Sequence, residues 1–362
     1  MQRNFILTDI MKTGNFLELE SFIKMHSFED QEFECTGEYY SLHNYDLDSY
    51  DRRFAIIDAG LVSTQYFAND SFLQELKKRC DLLHSQGFVF IKANPWESLD
   101  NMKTMKREIP EPQEMQVDHV KWTGGVSWFW FFMYQKHKDN KLNFTHDHNG
   151  SYWHKKHDFL YLNKSKRTHR IKLYDRLMQT DILENSIHTF RYRYFPDEHP
   201  GNVILDAKYE LPGIVPQQYP PIGMDQDIYE LPYIDTVCSI VSETNDNDYE
   251  VFMTEKIWKA IMAKHVFVVH GNYLYLQKLR EMGFKTFGQY IDESYDLERD
   301  PDKRIEKIVN LCDQLKKINW QDVYLQSKAL RQQNYDTLFN EKALSKEINR
   351  TINLFLEFAD SR

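Results

Sequence analysis

Short apolar runs alternate with helix-period segments along much of this chain, and that alternation restricts the fold more than any other property of the sequence. "RRFAIIDAG" (52–60) is a β-rich run stopped by Gly60. In "DSFLQELKKRCDLLHSQG" (70–87), Phe72, Leu73, Leu76, Cys80 and Leu83 recur at helical spacing between a Ser71 start and a Gly87 stop. "FVFIKANP" (88–95) then reads as a buried strand closed by Pro95. Strand, helix and strand in that order form a βαβ unit, which requires a parallel sheet with a right-handed crossover.

The same rhythm returns downstream. "FLYLN" (159–163) is strand-like, and "KSKRTHRIKLYDRLMQTDIL" (164–183) is a basic loop leading into a helix with Ile171, Leu173 or Tyr174, Leu177 and Met178 on one stripe. "IDTVCSIVSE" (234–243) predicts a strand, followed by a helix over 254–264 and a strand over 265–270. A helix over 273–283 stops at Gly283, and "FKTF" begins a further strand. An Asp-Pro start opens a helix over 300–318, and 342–359 is a last amphipathic helix. The aromatic run "WFWFFMY" (128–134) suits either a buried strand or a short core helix. The polar segment 97–125 and the Pro-rich 195–232 read as irregular. With 362 residues there is enough chain for two cores. The expected organisation is two α/β domains, 1–155 and 156–340, joined near the polar stretch 140–158. The segment 341–362 forms a terminal helix crossing back onto the first domain.

Charge narrows the partners. Forty-five basic against 55 acidic residues leave −10, so a global basic field for nucleic acid is absent. Cys35, Cys80, Cys238 and Cys312 have no metal or disulfide spacing and read as buried thiols of a reducing compartment. The N-terminus lacks a signal-like apolar stretch, and no run is long enough to span a bilayer, so a cytoplasmic location is expected.

Candidate chemistry concentrates in "SETNDNDYEVFMTEKIWKAIMAKHVFVVHGN" (242–272). Here a strand runs into an acidic loop and a helix beginning at Thr254-Glu255-Lys256. Ligands of parallel sheets bind where the loops gather at the strands' carboxyl ends. Unpaired N–H groups at a helix start attract an anion, and Lys256 adds a point charge. The plainer alternative makes Thr254 an N-cap and Glu255 a first-turn acid. Upstream, Arg170 stands in a basic loop with Lys164, Lys166, Arg167 and His169, and its guanidinium can fork two phosphate oxygens. A solvated basic loop is the plainer reading there.

These two segments together resemble the GDP-fucose-using α1,3-fucosyltransferases, in a divergent form like the glycosyltransferase-like proteins of phages and marine bacteria. The family pattern runs Phe-Glu-Asn-Ser, a short loop, Tyr-x-Thr-Glu-Lys-Leu/Ile-Trp, a small helix, then Pro-Val-Val-x-Gly. Glu243, Thr254, Glu255, Lys256, Ile257, Trp258, Val268, Val269 and Gly271 follow it in order, and Arg170 falls on a family arginine at a helix start. The resemblance covers roughly 159–310. It implies a GT-B fold of two Rossmann-like domains facing a cleft, and an inverting, metal-independent transfer of a fucose-like sugar. The donor is a nucleotide-diphosphate sugar, GDP-linked by the resemblance; the acceptor is a glycan or other hydroxyl compound, and no separate cofactor is implied. It further implies that Glu255 holds ribose or sugar hydroxyls, that Lys256 and Arg170 neutralise the diphosphate, and that Asn245 makes a polar contact; His169 and Gly271 join them in the donor segment. Two departures stand out. The chain carries Phe252 where the family keeps a tyrosine, with Tyr249 as a nearby substitute, and its loop before Thr254 is longer.

An inverting transfer needs a general base for the acceptor hydroxyl. Asp58 and Glu97, near the ends of the two predicted strands of the first domain, and Asp118 and His119 are the candidates. His146, His148, His154 and His157 have spacings that can ligate zinc, but they lie in a polar segment without cysteine partners, and no metal is expected. Two alternative functions remain: a catalytically inactive α/β module that binds a glycan or partner, and a glycosyltransferase of phage DNA bases.

Overall fold

The computed structural model describes residues 3–9, 31–36, 44–58, 78–79, 81–83, 85–93, 125–142, 152, 155–163, 167–190, 228, 230–246 and 251–348. Contacts divide the chain into two compact units, Met1–Ser127 with Ser345–Arg362, and Trp128–Leu344. The aromatic run thereby falls in the second unit, whereas the sequence reading set the junction near 140–158.

The first unit carries a parallel sheet of order β2-β1-β3-β4, from β1 (Arg3–Asp9), β2 (Gln31–Thr36), β3 (Arg52–Asp58) and β4 (Val89–Ala93). β1 lies between β2 and β3, with Phe5 opposite Phe33 and Arg52, and β3 pairs with β4 through Ile56 and Ile91. The predicted strand–helix–strand unit is present: residues 81–83 and 85 are helical between β3 and β4. Arg53 ties this unit's loops together, donating from Nε to Leu47 O (3.0 Å) and from Nη1 to Gln86 O (2.7 Å). β1 and β2 escaped the sequence reading.

The second unit begins within α1 (Gly125–Lys138), at Trp128, so the aromatic run is helical. Phe129, Trp130, Phe131, Met133 and Tyr134 are buried. Trp130 donates to Leu338 O at 2.7 Å and packs on Trp258 and Phe284. The sheet follows in the order β6-β5-β7-β8, all parallel, from β5 (His157–Asn163), β6 (Ser186–Phe190), β7 (Thr236–Ser242) and β8 (Val266–His270). Every residue of β7 and β8 is buried, which is why neither strand alternates between apolar and charged residues. α2 (Thr168–Met178) follows β5, and α3 (Glu230–Asp235) precedes β7, so the segment read as irregular to 232 ends in a helical turn.

α4 (Glu255–Met262) joins β7 to β8 and buries Ile257, Trp258, Ala260, Ile261 and Met262. α5 (Tyr275–Glu281) ends before Gly283, whose φ of +97° is a left-handed conformation that glycine adopts without a Cβ clash. The strand expected at "FKTF" does not form. Its backbone is satisfied by side chains instead: Lys285 N–H and C=O bond the Asn334 amide (2.7 and 2.9 Å), and Phe287 N–H bonds Glu293 (2.6 Å). Phe284 and Phe287 point into aromatic clusters, so the apolar signal came from packing rather than from pairing.

α6 (Pro301–Leu315) starts as expected, with Asp300 accepting from the Asp302 and Lys303 amides and Pro301 in the first turn. α7 (Trp320–Gln326) and α8 (Lys328–Leu338) follow, and 341–348 is helical. The free thiols Cys238 and Cys312 are buried. Among the described residues no helix is long and apolar enough to cross a membrane.

Candidate functional site

The order of the second sheet picks out one place for a ligand. From β5 the chain moves outward to β6, then returns past β5 to lay down β7 and β8. β5 and β7 therefore flank the point where winding reverses, the position beyond the carboxyl ends at which open parallel sheets take their ligands. Both cation-bearing segments singled out in the sequence stand at that point: α2 begins after β5, and Glu243 follows β7 directly.

Arg170 lies in the first turn of α2 and is only 3% exposed. Its Nε and Nη2 both donate to the Glu243 carbonyl, at 3.0 and 2.9 Å. The solvated basic loop is thus not what Arg170 does. Burial and neighbouring Arg167 push its pKa down, with Glu243 and Glu255 opposing; an arginine remains a cation there. His169 bonds the same carbonyl through Nε2 at 3.0 Å, and a carbonyl only accepts, so Nε2 carries the proton. Burial lowers its pKa, against the pull of Asp246, whose Oδ1 lies 3.7 Å from Nδ1.

Glu243 is fully buried, and its carboxylate is committed inside the protein. Oε1 accepts from Thr254 N–H (3.2 Å) and from the Tyr275 hydroxyl (2.7 Å), and Oε2 accepts from the Thr254 hydroxyl (2.5 Å). Thr254 occupies the N-cap position of α4, yet its hydroxyl makes no cap bond to the helix. The simple cap expected from the sequence is not made: the hydroxyl gives its hydrogen to the Glu243 carboxylate and accepts from Lys256 rather than from the first-turn amides. Lys256 Nζ donates to Thr254 Oγ1 (2.8 Å) and to Glu255 Oε1 (2.7 Å), with 22% of its side chain exposed. Burial pushes the Glu255 carboxyl up, but Lys256 and Lys259 pull it down further, and the net result lies below the usual range.

Gly271 is needed for a close approach: a Cβ there would lie 2.8 Å from Cδ2 of Tyr275, and its carbonyl accepts from Arg304 Nη1 at 2.6 Å. Phe252 is buried, and its N–H bonds Asn272 Oδ1 at 2.9 Å. Asn245 is buried with its Nδ2 unbonded. Asp58 ends β3 in the first unit. Glu97, Asp118, His119, Tyr249, His146, His148 and His154 lie outside the described residues. Among the described residues no group of three or more His, Cys, Asp or Glu side chains is placed for a metal ion.

Sequence reasoning missed Tyr275, Ser242, His270 and Asn163, which complete this end of the sheet. His270 is wholly buried against His169, and its Nδ1 stands 3.2 Å from Ser242 Oγ while Nε2 has no partner. Burial, followed by the charges of His169, Arg304 and Arg170, holds its pKa well below the usual imidazole value, so the ring is neutral. Asn163, the last residue of β5, makes no side-chain hydrogen bond of good geometry, although the Tyr161 phenol stands close. The one signal available for His270 was its place at the end of an all-apolar strand, before Gly271. Tyr275 carried none, since its partner Glu243 is 32 residues away in sequence.

Compared with family models, curated proteins and solved structures, the chain matches none.

Proposed function

We propose that the chain is an inverting, metal-independent glycosyltransferase of GT-B type that uses a nucleotide-diphosphate sugar, with the second unit binding the donor. One observation carries this reading. Arg170 and Lys256, from the helices that follow β5 and β7, are linked through Glu243 beyond the carboxyl ends of the two strands where the winding of the sheet reverses. Two fixed cations at a switch point suit a ligand with two adjacent anionic centres, as a diphosphate has.

In the transfer, the bond from sugar C1 to the diphosphate oxygen breaks and its electron pair leaves with the diphosphate. A bond forms from the acceptor oxygen to C1, and the acceptor proton passes to a base, for which Asp58, Glu97, Asp118 and His119 are the candidates. Charge grows on the leaving diphosphate, where Arg170 and Lys256 stabilise it without reorganising. Thermal shifts with GDP, UDP and their sugars test the reading, with Arg170→Ala and Lys256→Ala beside the parent. Stabilisation of the parent and a lost response in both variants are expected. A parent that no nucleotide stabilises sinks the proposal.

A second reading, a binding module of the same fold without turnover, is favoured by the Glu255–Lys256 pair at 2.7 Å, which already offsets part of the lysine charge, and by Phe252 in place of a hydroxyl-bearing residue. Release of free sugar from a bound donor would exclude it.

A further inference from the structure

Glu243 was a candidate ligand contact in the sequence, but its polar atoms are turned toward the protein. Its N–H donates to His270 O at 2.8 Å, which extends the β7–β8 ladder by one bond. Its carbonyl holds Arg170 and His169 at the start of α2. Its carboxylate holds Thr254 at the start of α4 and Tyr275 in the first turn of α5. Four elements thus meet on one residue that is itself inaccessible to a ligand.

The linkage has a direction. Lys256 donates to Thr254 Oγ1, Thr254 donates its hydroxyl hydrogen to Glu243 Oε2, and Arg170 donates to the carbonyl of that same Glu243. A threonine hydroxyl has one hydrogen to give. Committing it to the carboxylate leaves the lone pairs of Oγ1 for Lys256, so Glu243 orients one of the lysine's two tethers, the other being Glu255 Oε1. The arginine is held by the same residue's backbone. Glu243 thus bears on the positions of both cations and limits the freedom of the flexible stems that carry them.

We propose that Glu243, acting through Thr254, is the positioning residue that couples Arg170 to Lys256, so that the site recognises two linked phosphates in preference to one. This rests on the nucleotide-diphosphate reading above and adds to it the selection of diphosphate over monophosphate. Disturbing the bracket affects a ligand that spans both cations more than a ligand that needs one.

The ratio of monophosphate to diphosphate dissociation constants tests this, with GMP against GDP and UMP against UDP, measured on the full chain by calorimetry. Glu243→Gln replaces one acceptor oxygen by an amide donor, and Thr254→Val removes the relaying hydroxyl while keeping the side chain's shape. The parent is expected to prefer the diphosphate. Each variant is expected to lose about tenfold of that preference through weaker diphosphate binding, with monophosphate affinity changed by no more than about threefold. A merely structural loss would weaken both ligands alike and leave the ratio unmoved. Where Glu243→Gln fails to fold, Thr254→Val decides. A parent that prefers the diphosphate, with variants that keep the full preference, overturns the coupling and spares the functional reading. A parent that binds none of the four nucleotides overturns both.

Discussion

The two ends of β8 carry two buried histidines in opposite states of completion. His265, just before the strand, has both ring nitrogens engaged: Nε2 donates to Tyr233 O at 2.6 Å and Nδ1 accepts from Ser239 Oγ at 2.9 Å. His270, at the strand's other end, uses only Nδ1, with Ser242 at 3.2 Å. Two of the three buried arginines differ in the same way, while the third, Arg304 beside Gly271, is fully bonded to the carbonyls of Glu298, Asp246, Gly271 and Arg299. Arg331, at the amino end, donates to Ser327 Oγ, Lys264 O and Tyr324 O, and its guanidinium stacks 3.5 Å from the Tyr324 ring centre. Arg170, at the carboxyl end, spends both of its hydrogen bonds on one carbonyl. A buried polar group left unbonded costs about 1–3 kcal/mol, so the open Nε2 of His270 carries a cost that the fully bonded ring of His265 does not. On the functional reading proposed above, the end with the open imidazole is the one that would bind the ligand, and the end with the closed one is scaffold.

That contrast breaks most visibly at the arginines. Arg331→Ala removes donors to three groups and an aromatic stack, and should lower unfolding free energy by about 3–5 kcal/mol in urea titration. Arg170→Ala should cost less stability, about 1–2 kcal/mol, because only the Glu243 carbonyl is affected and it keeps its bond from His169. If Arg170→Ala proves the more destabilising of the two, the assignment of scaffold and site is reversed.

Acidification addresses the histidines together. Burial holds both His265 and His270 well below the usual imidazole pKa, which makes them neutral in the folded chain. The unfolded chain takes up their protons below about pH 6.5 and the folded chain does not, so the stability they leave intact above that pH is lost progressively as the pH falls further. Each contributes a slope of about 1.4 kcal/mol per pH unit in the window between the two pKa values. His265→Gln and His270→Gln should each remove one share of that slope, and at pH 8 His265→Gln should cost more stability than His270→Gln, which gives up one hydrogen bond rather than two. An unchanged slope in either variant would show that its ring is protonated in the folded state.

The smallest effect separates the two serines. Ser239→Ala strands the Nδ1 of a fully bonded ring and should cost about 1 kcal/mol, whereas Ser242→Ala removes a longer bond from a ring already incomplete and should cost about half as much. Equal costs, measured by thermal unfolding at neutral pH, would remove the distinction between the two ends.

Much of the scaffold was legible because its periodicity is local. β3, β4, β5, β7 and β8 were all anticipated as strands, and the helices starting at Glu255 and Pro301 were marked by their first turns. β6 was not read, although it is paired along its whole length with β5. A five-residue strand with Ser, His and Thr among its members has no periodic signature, and its identity depends on the neighbour that pairs with it. "FKTF" erred the opposite way, being apolar for packing while its backbone bonds to Asn334 and Glu293.

The chain by itself determined an α/β fold, the alternation that makes its sheets parallel, and the cationic residues Arg170 and Lys256 at helix starts, because each of these depends on spacing within a few turns. Only the tertiary structure decided that those cations converge on Glu243, that Thr254 bonds a buried carboxylate rather than capping its own helix, and that His265 is complete where His270 is not. These contacts join residues from 11 to 73 positions apart, and their chemistry depends on burial, which local sequence does not encode.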